Sequence, residues 1–369
     1  MPTTTFNNRD SNKELKLISK NEYRSVLRKS LSAEDFSLDK KELLHYFILM
    51  TVYLLGIYSL VNLQVLSVKI LISVLMGVSL AALTFFMHDL MHGAVIQSKK
   101  ITYLIGLSIG LFNFFAPLFW QRTHNFHHAR AGNIDDPDRM YIWTEKPRNV
   151  LEKFIYKLRI SKNSYNTFFS LISMSFGFFW YFSTMLFYAL LQKKPKGSQY
   201  QGVNKLFKTK EMFIIFGELF LIFLFQGFLF TTLASSNFLN YFLISLLPVL
   251  ITHFITMLYI HTNHFLSPLT NKIDDPLVNS LSLKNSWLVD KIFSNFSHHV
   301  EHHLFPAMSP SRYPKVRKLL LDLYPDRFQL IPMFDAVKLL CITPRIYSDN
   351  THLVNYDGRE KISCLLPNA

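Results

Sequence analysis

Eight of the 14 histidines in this chain fall into three short groups with ring spacings of three or four residues. The groups are HDLMH with His88 and His92, HNFHH with His124, His127 and His128, and HHVEHH with His299, His302 and His303. Such spacings place side chains on one face of a helix. Neutral imidazole binds iron, zinc, copper or nickel. One ion cannot use eight nitrogens, because a zinc site takes three or four protein ligands. The pattern therefore predicts a site for two metal ions.

The elements that carry these groups are strongly apolar. Half of the 369 residues are hydrophobic and only 17% are charged. Several segments reach the roughly 20 apolar residues that cross a bilayer. The nearly uncharged segments are 46–61, 70–87, 101–120, 166–191, 212–233 and 238–260. The net charge of +14 is spread over loops, as the positive-inside rule expects, and does not indicate nucleic-acid binding.

The distribution of lysine and arginine predicts the topology. The connection at 62–69 carries one lysine, and the connection at 234–237 carries no lysine or arginine. In contrast, residues 129–165 are rich in both, and residues 192–210 are rich in lysine. Basic loops stay in the cytoplasm. The chain is therefore predicted to form two membrane hairpins, one from residues 46–66 and 67–87 and the other from residues 212–233 and 238–260. Segments 101–120 and 166–191 are predicted to be interfacial or re-entrant. The alternative is that all six apolar segments span, which would split the histidine groups between the two membrane faces.

The predicted fold is thus an all-α integral membrane protein. Four transmembrane helices in two hairpins carry a cytoplasmic helical cap that holds the histidine-rich di-metal site. The predicted divisions are a polar N-terminal arm (1–44), a membrane domain with its cap (45–335) and a C-terminal tail (336–369).

Other polar residues near the groups are candidates for supporting roles. One further ligand is expected from YIHTNHF, where we favour His264 over His261. The residues that could hydrogen-bond to ligands are Asp89, Asp136, Asp138, His261, Asn263, His298 and Glu301. Trp120 and Asn125, next to the second group, are candidates for positioning a substrate. No catalytic residue beyond the metal ligands is predicted.

At these residues the chain resembles the membrane fatty acid desaturase family, whose three histidine boxes match HDLMH, HNFHH and the HVEHH of 299–303. NIDDPD, NFSHHVEHHLFP and SRYPKVRKLL resemble its acyl-lipid and front-end branch, although box three begins with His299 where front-end members commonly have Gln. The resemblance implies a non-haem di-iron centre with two iron ions. Its ligands would be His88, His92, His124, His127, His128, His264, His299, His302 and His303.

The resemblance also implies the reaction and the partners. The expected activity inserts a cis double bond into an acyl chain with O2 and two electrons. The substrate would be an acyl lipid or acyl thioester, and the electrons would come from a ferredoxin or a cytochrome b5-type donor. The protein would lie in the inner or plasma membrane of a bacterium or the endoplasmic reticulum of a eukaryote, with its active site on the cytoplasmic face.

Two other functions remain open at this point. A lipid or carotenoid hydroxylase or ketolase could use the same ligands, because a small shift of the substrate decides whether oxygen is transferred. A membrane metal transporter would require polar residues along a path through the membrane. The first, second and fifth apolar segments contain few such residues apart from Glu218.

Overall fold

The computed structural model describes residues 16–139, 143–162, 164, 166–191, 206–271 and 273–366. The first 15 residues of the predicted N-terminal arm lie outside this range. The helices before the second hairpin are α1 (Lys20–Leu27), α2 (Lys40–Asn62), α3 (Leu66–Met91), α4 (Lys99–Asn113), α5 (Pro117–Arg130), α6 (Val150–Leu158) and α7 (Thr167–Leu191). The later ones are α8 (Thr209–Phe228), α9 (Phe238–Tyr241), α10 (Leu247–His264), α11 (Pro276–Asn279), α12 (Trp287–Ile292), α13 (His299–Leu304), α14 (Tyr313–Leu323) and α15 (Met333–Ile342).

Four helical stretches of the described chain are long and apolar enough to cross a membrane. They are Ala33–Asn62, Leu66–Met91, Thr209–Leu233 and Phe238–His264. Short π-helical segments extend α8 to Leu233 and join α9 to α10. These stretches form the two predicted hairpins, so the predicted class of a mainly helical integral membrane protein is confirmed.

Helices α3 and α10 form the central pair, because small residues let them approach closely. A Cβ on Gly77 would lie 2.6 Å from the Ile251 side chain and 2.9 Å from the Pro248 carbonyl, so only glycine fits there. Thr252 donates a hydrogen bond to the Gly77 carbonyl across the same contact. Helix α2 packs on α3, and α7 packs on α10. The central pair thus delivers His88 and His264 at the same end of the bundle.

The apolar segment 101–120 does not form one straight helix. Helices α4 and α5 are bent by 102°, and Phe114 ends α4 in the left-handed conformation with φ of 58°. A Cβ on Gly110 would lie 2.6 Å from the Phe115 carbonyl, so this tight return requires glycine. Because α5 then brings its histidines back to those at the end of α3, the three histidine groups are not split between the two ends of the bundle.

Residues on both flanks of the predicted membrane domain pack against it. Tyr23 and Leu27 of α1 are fully buried in a cluster with Val300 and Leu304 of α13. At the other end, Leu340 of α15 is fully buried in the main core. The boundaries at 44/45 and 335/336 stay predictions.

Two small sheets interrupt the helical chain, and the sequence analysis did not foresee them. Strands β1 (Ser282–Lys284) and β2 (Leu330–Pro332) pair in parallel. Strands β3 (Ile346–Asp349), β4 (His352–Val354) and β5 (Lys361–Ser363) form an antiparallel sheet.

Candidate metal centre

Nine histidine rings meet where the spanning helices end. They form two groups, and in each group one possible ligand atom per residue lies within 4.8 Å of all the others. The first group is His88, His92, His124, His128 and His302, and the second is His127, His264, His299 and His303. These are the nine residues predicted as ligands. The division into five and four could not be predicted from the spacing, since each of the last two histidine boxes contributes to both groups.

Each ring is delivered by a helix end or by a short buried helix. His88 lies in the last turn of α3 and His92 is its C-terminal capping residue. His124, His127 and His128 lie on α5, and His264 is the last residue of α10. The third box forms α13, a helix of six residues that are all buried.

Polar groups outside the cluster fix which ring nitrogen faces inward. The Nδ1 atom of His88 lies 2.9 Å from Asp89 Oδ1, and that of His127 lies 2.7 Å from Asp136 Oδ1. His264 Nδ1 lies 3.5 Å from the Asn279 carbonyl. Because a carboxylate or carbonyl oxygen can only accept, the proton of each ring is held on Nδ1. Each Nε2 therefore keeps its lone pair free for a metal.

These inward nitrogens approach one another in pairs at hydrogen-bond distance. The Nε2 atoms of His264 and His299 are 2.7 Å apart, and those of His128 and His302 are 3.0 Å apart. Where both nitrogens of a pair carry lone pairs they need a shared cation, because opposed lone pairs repel and buried polar groups need partners. Burial, reinforced by neighbouring histidines, holds the pKa values of His299, His302 and His303 well below the ordinary value. Crowded, neutral, inward-facing imidazoles fit metal ions and not a network of protonated histidines.

The acidic motif NIDDPD also reaches the site. Besides the hydrogen bond from His127, Asp136 Oδ1 accepts one from the Asp138 backbone N–H. Asp138 Oδ2 lies 3.7 Å from Nδ1 of both His124 and His127. Burial raises the pKa of Asp138, but His127 and His124 outweigh it, so the pKa lies below its ordinary value. Asp89, Asp136 and Asp138 all lie where the sequence analysis expected supporting groups.

Two residues of the HHVEHH segment, Glu301 and His298, do not reach the nine rings. Glu301 accepts hydrogen bonds from Arg317 Nε at 2.6 Å and from Ser282 Oγ. It therefore joins α13 to α14 and β1, which corrects its assignment as a partner of a ligand. The His298 ring lies 3.1 Å from Ser297 Oγ, and within the described residues it makes no contact with the nine rings.

The residues predicted around YIHTNHF and HNFHH also differ in whether they reach the histidine cluster. His264 belongs to the four-histidine group, whereas His261 stacks on Phe265 with ring centroids 4.2 Å apart. Asn263 is fully buried, and its carbonyl accepts a hydrogen bond from Leu281. Trp120 stacks on His124 with centroids 4.6 Å apart. Asn125 is exposed on α5, so the structure does not support it as a positioning residue.

Tyr313 and Arg317 form hydrogen bonds with residues of the third box. Neither residue was predicted from the sequence. The Tyr313 hydroxyl lies 3.0 Å from His302 Nδ1. Burial, and then the nearby Asp89, raises the Tyr313 pKa well above its ordinary value, so the hydroxyl stays protonated. Besides Glu301, Arg317 binds the carbonyls of Leu283 and Ser297. Both residues lie in SRYPKVRKLL, the segment after box three. Their closeness to the box in the sequence is the feature that could have indicated a supporting role.

Glu218 on α8 has a structural partner within the membrane region. Its Oε2 accepts a hydrogen bond from the Leu118 backbone N–H at 3.2 Å, in the first turn of α5. A carboxylate at a helix N-terminus is stabilising. Glu218 thus anchors the helix that carries the second box, which gives this buried carboxyl group a structural role.

A cavity reaches the histidines from the membrane region. Helices α3, α5, α7 and α10 contribute to its wall. Its polar end is lined by His88, His124, His264 and His299. Apolar side chains such as Phe85, Phe178, Met257 and Ile260 line most of the rest. The candidate metal centre therefore opens onto an apolar chamber.

A family model described as fatty acid desaturase matches residues 66–334, from the start of α3 to the start of α15. The chain belongs to the fatty acid desaturase family. The family recognised from the three boxes is confirmed, and so, at the level of the family, is the predicted class of oxidoreductase. The matched range includes all nine histidines of the cluster.

Individual fatty acid desaturases match shorter stretches. A protein named fatty acid desaturase from Bacillus subtilis (strain 168) is 32% identical over 56 residues, which are 15% of this chain and 16% of that protein. Omega-3 fatty acid desaturase fat-1 from Caenorhabditis elegans is 34% identical over 74 residues, 20% of this chain and 18% of that protein. The matched part is thus less than a fifth of either relative.

Proposed function

We propose that the protein is an acyl-lipid desaturase with two iron ions bound by the nine histidines. His88, His92, His124, His128 and His302 would hold one ion, and His127, His264, His299 and His303 the other. The observation that carries the proposal is the pair of adjacent histidine groups at the end of an apolar cavity.

The proposed reaction removes two hydrogens from neighbouring carbons of an acyl chain and leaves a cis double bond. O2, two electrons and two protons enter, and two water molecules leave. An unactivated C–H bond has no acidic proton, so side chains alone cannot break it, and the bound iron would supply the oxidising chemistry. The two electrons would come from a ferredoxin or a cytochrome b5-type protein.

The residues of the chain position the substrate and protect the centre. Phe85, Phe178 and Met257 line the cavity and would exclude water while they hold the acyl chain by apolar contact. Asp89 and Asp136 keep protons on the outer nitrogens of His88 and His127. Trp120, stacked on His124 at the cavity wall, would fix both this ring and the passing chain.

The charge pattern supports a location for the site. In the predicted topology, basic residues are concentrated in the connections on the histidine side of the hairpins, where 129–165 and 192–210 follow the third and fourth apolar segments. By the positive-inside rule this side faces the cytoplasm. The centre would therefore meet a soluble electron donor there, and acyl lipid or acyl thioester would reach it from the membrane.

The test is gas chromatography with mass spectrometry of total lipids from a host that expresses the chain. We expect new unsaturated acyl chains, which a His302→Ala variant does not produce. His352→Ala is the matched control, because His352 lies on β4 and pairs with Asp349; it should retain the product. New hydroxy or keto lipids would instead indicate a hydroxylase or ketolase. Purified protein with about two irons per chain but no lipid product would overturn the desaturase assignment once a ferredoxin, its reductase and acyl lipid are supplied.

A further inference from the structure

The cavity extends from the histidines toward the membrane interior along one face of α10. His264, Ile260 and Thr256 all line it, and their spacing of four residues keeps them on one helix face. Eight residues of helix cover roughly 12 Å at about 1.5 Å per residue. On α3, Thr84 lines the cavity one turn below His88. The cavity therefore continues well past the level of the metal ligands.

At its end away from the histidines the cavity is lined by buried side chains. Thr84, Phe178, Thr256 and Met257 line it there, and each is at most 6% exposed. The lining residues that are partly exposed are Trp120, Asp138, Ile260 and Phe296. We refer to Thr84, Phe178, Thr256 and Met257 as the floor.

We propose that the methyl end of the acyl chain rests on this floor and that Met257 sets the position of the double bond as counted from that end. This inference rests on the proposed desaturase function. The methyl end is the one that fits, since a phosphate or thioester head group buried among apolar side chains would lose its hydration without gaining hydrogen-bond partners. The head group therefore remains at the mouth.

The Met257 side chain has little room to move because it packs against α7. A Cβ built on Gly177 would lie 3.2 Å from Met257 Cε and 3.3 Å from Met257 Cγ. The methionine side chain thus already fills the space that a side chain at 177 would need, and it rests against the backbone of α7. It cannot retreat from an acyl chain that presses on it, although methionine is otherwise a flexible side chain.

The first measurement uses unaltered protein and saturated fatty acids that differ in length by single methylenes, fed to the expressing host. If the floor positions the chain, the double bond stays at a constant distance from the methyl end as the chain grows. Its distance from the carboxyl end then increases by one carbon for each added methylene. A constant distance from the carboxyl end would overturn the proposal.

The second measurement alters the floor in both directions. Met257→Ala removes three heavy atoms, so the chain should sink and the double bond should move away from the methyl end by about one to three carbons. Thr256→Leu adds apolar volume to the floor and should move it the opposite way. Its hydroxyl has no hydrogen-bond partner among the described residues, so no bond is lost. Met257→Leu conserves volume and should leave the position unchanged.

The position of the double bond separates this inference from the proposed function and from misfolding. A misfolded variant makes less product but does not shift the bond. Wild-type protein without any unsaturated product would refute the desaturase function itself. A productive wild type whose bond position is the same in Met257→Ala and Thr256→Leu would refute the floor alone.

Discussion

The two histidine groups differ in their contact with solvent. All four residues of the group with His264 are buried, whereas His92 and His128 of the five-histidine group are partly exposed. Both groups nevertheless take ligand candidates from α5 and α13, because the histidines of each of these helices are divided between the two groups. One metal position is thus near the surface and the other is enclosed. We expect exchange of metal and entry of electrons on the side of the five-histidine group.

The groups also differ in how their ligands are supported. The His127–Asp136 pair of the enclosed group is completely buried, and its two atoms are 2.7 Å apart. In the other group, His88 pairs with Asp89 at 2.9 Å, and His302 with the neutral hydroxyl of Tyr313 at 3.0 Å. The enclosed group is thus supported by one fully buried carboxylate and, at a longer distance, by the Asn279 carbonyl 3.5 Å from His264 Nδ1.

Removing a ligand from either group should have the largest effect. His302→Ala and His303→Ala each delete one ring from a different group, so each should reduce bound iron from about two to about one per chain. Product should fall by more than the roughly 10–100-fold that loss of an outer partner costs. Metal analysis and product yield test this prediction. Loss of both irons in both variants would show that the two positions are not separable.

Substitution of a supporting carboxylate should have the second-largest effect. Asp136→Asn keeps the shape but allows the wrong His127 tautomer, and we expect a loss of about 10–100-fold in activity or metal affinity. Asp89→Asn should cost less, since Tyr313 also supports the five-histidine group. Titration of metal-free protein with ferrous iron measures both affinities. The comparison fails if Asp89→Asn is the more damaging change.

A chelator should distinguish the groups by rate. Because His92 and His128 are partly exposed, iron should leave the five-histidine position several-fold faster than the enclosed one, as access governs metal exchange. Iron release from detergent-purified protein should then follow two phases of equal amplitude. His303→Ala, which weakens the enclosed site, should remove the slow phase. Release in a single phase from wild-type protein would contradict the predicted asymmetry.

The smallest effect is expected at Tyr313. Tyr313→Phe keeps the ring in its buried position and removes one hydrogen bond to His302, which is worth about 0.5–1.5 kcal/mol. Iron affinity at the five-histidine position should fall by about 2–10-fold, with the enclosed position unchanged. Affinity measured on His303→Ala with and without the Tyr313 change isolates this position. Equal loss at both positions would indicate a general packing defect.

The sequence predicted which histidines cluster because helical spacing is local information. With about 100° per residue, His299, His302 and His303 share a face, and so do Trp120, His124 and His128. The same geometry explains two corrections. Glu301 lies about 200° from His299 on α13, so it faces away from the rings, and Asn125 lies about 100° from His124 on α5, so it faces solvent.

The unpredicted parts depend on contacts between distant residues. The Asn279 carbonyl is a backbone atom, so no side-chain pattern marks it as a partner of His264. Arg317 reaches Glu301 only because α14 folds back on α13. The two small sheets pair strands of three or four residues, which are too short for an alternating pattern to identify. Helical spacing thus indicated which histidines would cluster, whereas the groups that support their rings depend on tertiary packing.

The packing of α1 on the third histidine box affects the order in which the protein can form during synthesis. The Ile18 N–H donates to Asp275, and Arg327 donates to the Tyr23 hydroxyl. Residues 18–27 leave the ribosome more than 250 positions before these partners. Both hairpins can insert during translation, but α1 must wait with its apolar face unpaired. The metal centre, which needs α13, can therefore be completed only after Leu304 has been synthesised, and iron would load after both hairpins have been made.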